Sequence, residues 1–283
     1  MKTVLQEFSS NKFVFNHYLY VNPKPDFENV EMHTHNLYEI LYFLHGDAVF
    51  VIEDRQYRLQ QHDLVLISKN KGHYIKIMSD EKYERFDLLF KANDLSERLL
   101  NGIEELGVVN CKKFPEVLEC LQKFDYFRSR LSNNDFVDIA FSLLKQFLYS
   151  VYITTFGEKN QRESLNVPKE IRTILNFIND NLFTISSIDE MCSQIYISKG
   201  YFFKVFKRYM KISPKKYIIQ KRLCEAQRLL REGQKPVEVA YAVGFNAYSN
   251  FFRNFVGYFG YNPSYYYTDA PISVYGTAHE NEV

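Results

Sequence analysis

The stretches ISKGYFFKVFKRYM (Ile197–Met210) and YSNFFRNFVGYF (Tyr248–Phe259) decide the reading of this chain. A shift of 49 residues lays one on the other. Phe202 then falls on Phe251, Phe203 on Phe252, Phe206 on Phe255 and Tyr209 on Tyr258. Lys204 falls on Arg253, and Pro214 beyond the first stretch falls on Pro263 beyond the second. Two copies of one supersecondary unit explain this economically.

Each copy reads as helix, turn, helix. In the first, Ser187–Gln194 is a short helix whose Ser187 suits an N-cap, with Glu190 three residues on to complete a capping box. A break at Ile195–Ile197 follows, and Ser198 caps the next helix. Phe202, Val205, Phe206 and Tyr209 share one face of that helix, while Lys199, Gly200, Phe203, Lys204, Lys207 and Arg208 take the others. In the second copy Val237–Val243 is the short helix and Gly244 stands where left-handed backbone is needed. The following helix buries Phe251, Phe255 and Tyr258 or Phe259 and shows Tyr248, Ser249, Phe252 and Arg253 outward. Pro214–Arg231 joins the copies as a helix of about 27 Å, close to the ~34 Å repeat of duplex DNA.

Helices of this kind enter the major groove, where side chains near the N-terminal end reach base edges. The expected DNA-contacting set is Ser198, Lys199, Gly200, Phe203, Lys204, Lys207, Arg208, Lys215, Lys216, Tyr248, Ser249, Asn250, Phe252 and Arg253. Lys215, Lys216, Lys221 and Arg222 are read as phosphate contacts, which give affinity without sequence information. Phe203 and Phe252 have two readings at this point: core residues, or apolar partners for thymine methyl groups. Charge agrees with a polyanionic partner. Residues 167–268 hold 15 Lys and Arg against 7 Asp and Glu, a formal +8, while the remainder carries 20 against 27, so the overall +1 conceals a basic half beside an acidic one.

The segment Ile185–Tyr267 resembles the AraC/XylS family of bacterial transcription regulators. The resemblance is carried by Ile197–Lys207, Ser213-Pro214, Ala226–Leu230, Val239-Ala240, Val243–Phe245, Phe251–Phe255 and Tyr258–Pro263. It implies that Lys199, Gly200, Phe203, Lys204, Tyr248, Ser249 and Arg253 enter adjacent major grooves. Two departures bear on readout. Val256-Gly257 stands where the family usually has basic residues, and Gly200 and Phe203 offer little hydrogen bonding, so base reading leans on Lys204 and Arg253.

Upstream, residues 12–90 read as short strands: Tyr38–Leu44, Ala48–Glu53, Tyr57–Gln60, Leu64–Ser68 and Arg85–Phe90, broken by His45-Gly46-Asp47 and Asn70-Lys71-Gly72. Helical spacing takes over in residues 94–157. Glu116–Leu131 follows Pro115, and Asp135–Phe156 carries a stripe of Ile139, Leu143, Leu144, Phe147, Leu148 and Val151. The spacing His33-Thr34-His35, Glu39, Gly46, with His73 further on, resembles the cupin motif, which in cupin enzymes binds iron, manganese or a similar metal. Residues two apart on a strand project to one side. The second half of the motif is degraded, with His62 and Ser68 where Gly and Pro are expected. His33, His35, Glu39, Tyr42 and His73 are therefore read as effector-binding or structural groups, with no metal, cofactor or catalytic residue expected.

The resulting expectation is an α+β protein: a cupin-like effector-sensing barrel (1–92), a helical dimerisation or packing segment (93–157), a linker (158–166), a double helix-turn-helix DNA-binding domain (167–268) and a flexible tail (269–283). Its function is expected to be sequence-specific transcription regulation under a small-molecule effector, a sugar being the class the family often takes. Double-stranded DNA, RNA polymerase and a second copy of the chain are the expected partners. The competing readings are a metal-dependent cupin enzyme with a helical appendage and a nonspecific nucleic-acid-binding protein. No apolar run near the N-terminus fits a signal peptide, no stretch reads as a membrane span, and Cys111, Cys120, Cys192 and Cys224 form no CxxC pair, so a cytoplasmic protein with reduced thiols and no membrane partner is expected.

Overall fold

The computed structural model describes residues 2–10, 13–21, 23, 32–91, 95–96, 99–100, 107–156 and 168–264. The expected linker (158–166) and tail (269–283) lie outside them. Nine strands are present among the described residues: β1 Lys2–Ser9, β2 Phe13–Tyr20, β3 Tyr38–His45, β4 Ala48–Ile52, β5 Arg55–Arg58, β6 Asp63–Ile67, β7 His73–Ile77, β8 Tyr83–Phe90 and β9 Val108–Asn110. They form a six-stranded sheet, β1-β2-β8-β3-β6-β9, and a three-stranded sheet, β5-β4-β7. Every pairing is antiparallel.

Strand alternation sorts the apolar residues into three layers. Leu41 and Phe43 of β3, Phe50 of β4, Val65 and Ile67 of β6, and Ile75 and Ile77 of β7 meet between the sheets. Their neighbours of opposite parity on the large sheet, including Phe13, Phe15, Ile40, Tyr42 and Leu88, face outward into a second core. Among the described residues, α1 (Pro115–Arg128) and α2 (Asn133–Phe156) cover it. Phe136, Ala140, Leu143, Leu144, Phe147, Leu148 and Val151 make the buried stripe of α2. Each such side chain contributes roughly 1.5–3 kcal/mol of transfer free energy. The helix is long and apolar enough to pass as a membrane span by length and composition, contrary to the sequence reading, but its buried stripe packs in this core. On the small sheet the outward residues are Val49, Val51 and Tyr74, and the second half of the chain packs on them.

That half contains α3 (Lys169–Asp180), α4 (Ile188–Gln194), α5 (Lys199–Met210), α6 (Pro214–Arg231), α7 (Pro236–Ala242) and α8 (Tyr248–Phe259). Ser187, Ser198 and Ser213 each cap the helix that follows by accepting a backbone N–H two or three positions into it. Glu190 completes no box with Ser187; its carboxylate instead accepts from the Ser186 hydroxyl. Gly244 lies at φ +85°, and a Cβ there would meet the carbonyl oxygen of Phe183 at 2.5 Å, so both backbone conformation and space demand glycine. At the same place after the first unit's short helix, one residue past its C-cap, stands Tyr196, which takes φ 56° and is 95% exposed.

The sequence reading places the paired helices within a residue or two. It names no strand at β1, β2, β7 or β9; β9 interrupts a stretch read as helical and adds to the edge of the large sheet beside β6.

Candidate nucleic-acid interface and histidine cluster

In the first helix-turn-helix unit, Phe202, Phe206 and Met210 hold α5 in the core. Ser198, Lys199, Gly200, Lys204 and Lys207 are exposed, and Phe203 is 37% exposed. At 100° per residue, Lys199, Phe203, Lys207, Gly200 and Lys204 occupy one continuous arc. Nothing stands within 4 Å of a Cβ built on Gly200, so the backbone there is open to close approach. Lys199 pairs with Asp189 at 2.8 Å, a solvent-exposed contact of little energetic weight. In the second unit, Phe251, Phe255, Tyr258 and Phe259 anchor α8. Ser249, Asn250 and Arg253 are exposed, and Tyr248 and Phe252 are half-buried. Lys215 and Lys216, at the start of α6, line one shallow recess of about 380 Å³ with Arg253. The structure thus brings those three cations together.

Arg208 is exposed at the edge of this arc, one step of about 40° past Lys204, and lines a cleft of about 600 Å³ between reader and barrel with Lys76, Tyr74 and Tyr209. Two residues of this half depart from the roles expected of them. Lys221 and Arg222 are not phosphate contacts, being 7% and 9% exposed. Arg222 donates to the carbonyls of Leu182 (2.9 Å), Ile185 (2.9 Å) and Gly244 (2.7 Å), tying the two units together. Lys221 donates to Glu53 at 3.2 Å and to Asn179 at 2.8 Å. A basic residue count cannot see this, because helix α6 is the central strut and has little free surface.

Glu53 sits at the turn between β4 and β5 with φ 49°. Besides Lys221 it accepts from Tyr217 Oη (3.1 Å) and from the Gly72 amide (2.7 Å). Burial pushes its carboxyl up, but the Lys221 charge and the Gly72 amide outweigh that and hold it below its ordinary value. Nearby, Tyr258 Oη donates to the Thr34 carbonyl at 2.5 Å, and the Thr34 hydroxyl meets Cys224 Sγ at 3.2 Å. Tyr74 Oη donates to the Tyr209 carbonyl at 3.0 Å. Barrel and reader are therefore joined by buried polar bonds as well as by apolar contact. Nothing in the sequence points to Glu53, Thr34, Tyr217 or Tyr258, since a lone acid in a turn and tyrosines in helices look like many others.

Of the five effector residues expected in the barrel, the structure gathers four. His33, His35, Glu39 and His73 bring one potential ligand atom each within 4.8 Å of the others. His33 and His73 face each other in an isolated antiparallel bridge, His33 N to His73 O 3.1 Å and the reverse 3.0 Å. Glu39 lies on β3 with the parity of Leu41 and so points between the sheets. Tyr42 has the opposite parity, belongs to the outer core and hydrogen-bonds His62 at 3.0 Å. It is not brought to the cluster.

Protons in the cluster are constrained. His73 Nδ1 stands 2.8 Å from the Lys71 carbonyl and His35 Nδ1 3.2 Å from the Leu37 carbonyl. A carbonyl only accepts, so both Nδ1 atoms carry hydrogen. Both Nε2 atoms face Glu39 Oε2, at 2.8 Å from His35 and 2.9 Å from His73, and a proton on either donates to that oxygen. The buried His73 Nε2 makes no well-aligned hydrogen bond. Burial works against charge on Glu39, yet His73 and His35 together hold its carboxyl well below the usual range, while Glu39 overcomes the burial of His73 and raises that imidazole.

Comparison with known proteins agrees with both halves. Residues 16–131 match the AraC-like ligand binding domain and residues 191–268 match a helix-turn-helix domain. The probable transcriptional regulator LumQ of Photobacterium leiognathi is 35% identical over 92 residues, 32% of this chain and 37% of LumQ. The melibiose operon regulatory protein of Escherichia coli K12 is 22% identical, covering 83% of this chain and 82% of that protein. The raffinose operon regulatory protein RafR of Pediococcus pentosaceus is also 22% identical, over 81% and 84%. Among solved structures, ToxT from Vibrio cholerae covers 92% of this chain at 14% identity and a TM-score of 0.39.

Proposed function

The chain belongs to the AraC family of DNA-binding transcription regulators, with a ligand-binding domain ahead of its helix-turn-helix domain, and from that premise we propose how its residues divide the work. The observation that carries the reading is the pair of capped or tightly turned units whose second helices both expose their N-terminal faces. Lys199, Gly200, Phe203, Lys204 and Lys207 meet one major-groove segment; Tyr248, Ser249, Asn250, Phe252 and Arg253 meet the next. Lys204 and Arg253 read bases, and Lys215, Lys216 and Ser198 grip phosphate. Arg208 serves the interdomain cleft in this reading.

The barrel holds a small-molecule effector and senses it at the His33, His35, Glu39, His73 end. Sugars are the first class to screen, because the melibiose and raffinose operon regulators are relatives. Two copies pair through the outer surfaces of α1 and α2, where Tyr126, Tyr149 and Ile153 stand 54%, 48% and 71% exposed. The dimer works in the cytoplasm with RNA polymerase as its partner at promoters, and catalysis forms no part of the reading.

Selection of bound duplexes from a random library by the full chain tests the assignment. The expected result is an enriched site with two blocks about ten base pairs apart. Lys204→Ala and Arg253→Ala should each weaken that site by roughly 1–3 kcal/mol and relax base choice in different blocks. Equal loss on random DNA would remove both residues from base reading.

A further inference from the structure

The two helix-turn-helix units are copies, so a difference between them marks what one unit does and the other does not. At the shift of 49 residues, Arg208 and Lys211 of the first unit fall on Gly257 and Gly260 of the second. Lys211 closes α5 at φ 62° and Gly260 closes α8 at φ 77°. Glycine takes that left-handed backbone without strain and lysine does not. Cations favour the C-terminal end of a helix, but α8 has none in its last turn, so this unit forms without them.

The two positions of the first unit face the barrel. Arg208 and Lys211 line the cleft of about 600 Å³ between reader and barrel, and Lys76 of β7 lines it from the barrel side. The described lining has one carboxylate, Glu170. Asp54 and Arg172, whose charges both reach Tyr209, pair with each other at 3.0 Å. Three cations against one carboxylate leave the cleft a formal +2. The rest of the wall is largely apolar, with Val51, Ile171, Val205 and the rings of Tyr74 and Tyr201. The Tyr209 hydroxyl lies out of solvent beside Gln56, without a well-aligned hydrogen bond. A cleft of roughly 300–1,000 Å³ at a domain boundary, apolar with a few convergent polar groups, is the usual form of a small-molecule site.

We propose that this cleft is a second ligand site, outside the barrel, for a small phosphate monoester with a ring-sized organic body, its phosphate held by Lys76, Arg208 and Lys211 and its body laid on Tyr74, Tyr201 and Val205. A phosphate monoester carries about −1.5 to −2 at neutral pH and matches the charge of the cleft, whereas a carboxylate neutralises half of it. Inorganic phosphate has the charge but leaves the apolar wall uncovered. The walls come from β4 and β7 on one side and from α3 and α5 on the other, so the bound ester ties the first recognition helix to the barrel. The site is separate from the effector site at the histidine end of the barrel, and its test contains no DNA.

The full chain is titrated by calorimetry with phenyl phosphate, glucose 6-phosphate and adenosine monophosphate, each beside phenol, glucose or adenosine, and with benzoate and inorganic phosphate alone. At least one ester is expected to bind once per chain, about ten-fold or more tighter than its uncharged counterpart and tighter than benzoate or inorganic phosphate. Lys211→Gly copies the second unit and suits the backbone at that position, so it folds and should weaken the ester about ten-fold. Lys76→Gln should do the same from the opposite wall. Amide exchange should slow in residues 74–78 and 205–211 together on loading. No binding of any ester, or benzoate, inorganic phosphate or the uncharged counterpart binding as tightly as the best ester, would overturn the proposal. Affinity undiminished in both lysine variants would do so too. Loss of binding in Glu39→Gln with Lys211→Gly unaffected would move the ligand into the barrel and remove the cleft site.

Discussion

The two outer faces of the barrel are covered in opposite ways. The large sheet turns Phe13, Phe15, Ile40, Tyr42 and Leu88 to α1 and α2, an apolar core that also takes in Phe124, Leu144 and Leu148. The small sheet turns Val49, Val51 and Tyr74 to the reader, and much of what holds that face is polar: Glu53 with Lys221 and Tyr217, Thr34 with Tyr258, Tyr74 with Tyr209. Apolar burial is non-directional and tolerates small shifts. Buried charge and hydrogen bonds hold in one register and are costly when half broken. The first face behaves as permanent packing, the second as a seat with one fit.

The contrast can be broken from either side. Phe124→Ala, at a fully buried ring stacked on Phe15, should destabilise the barrel with its helices by about 3–5 kcal/mol in urea denaturation. Lys221→Ala leaves the Glu53 carboxylate buried without its cation and should cost about 3 kcal/mol, with the reader unfolding at lower urea than the barrel. A single coincident transition in that variant would mean that the seat is not the weaker joint. Tyr74→Phe removes one hydrogen bond and should shift only the reader's transition, by about 1 kcal/mol.

The smallest effect separates the faces by pH. His17 on β2 bonds Asp125 of α1 at 2.7 Å and Glu84 of β8 at 3.0 Å. Burial disfavours its charge, but the two carboxylates prevail and raise its pKa above 6.5. A raised imidazole contributes in full below 6.5 and loses that contribution as pH climbs through the raised value. Glu53 runs the other way: its carboxyl is lowered, so its contribution is present above the ordinary 4.5 and lost only as pH falls through the lowered value. As pH climbs above 6.5 the α1 face should therefore weaken, while the Glu53 contribution to the reader's seat does not. His17→Gln should flatten the first slope in denaturation midpoints measured across that range, and an unchanged slope would assign it to other groups.

These contrasts also mark what is and is not legible in one dimension. Periodicity finds α6 and both recognition helices, because Phe202, Phe206, Phe251 and Phe255 repeat at helical spacing over buried stripes. The motif spacing finds His33, His35, Glu39 and His73, because strand parity sends alternate residues to one side. Tyr42 lies close to them along the chain, but parity sends it away. Lys221 and Arg222 look like surface cations in any linear reading; only the docking of α6 against the barrel and both units removes them from solvent. Long-range partners such as Glu53 with Tyr217, 164 positions apart, have no local signature at all.

The seat has a practical consequence for modular engineering. Regulators of two-domain build invite chimeras spliced at the connecting segment, on the assumption that sensor and reader are separable cassettes. Here the fit between the halves resides in Met32, Thr34, Glu53, Gly72 and Tyr74 on one side and Tyr217, Lys221 and Tyr258 on the other. A transplanted reader inherits a matching sensor only if those interface residues travel with it.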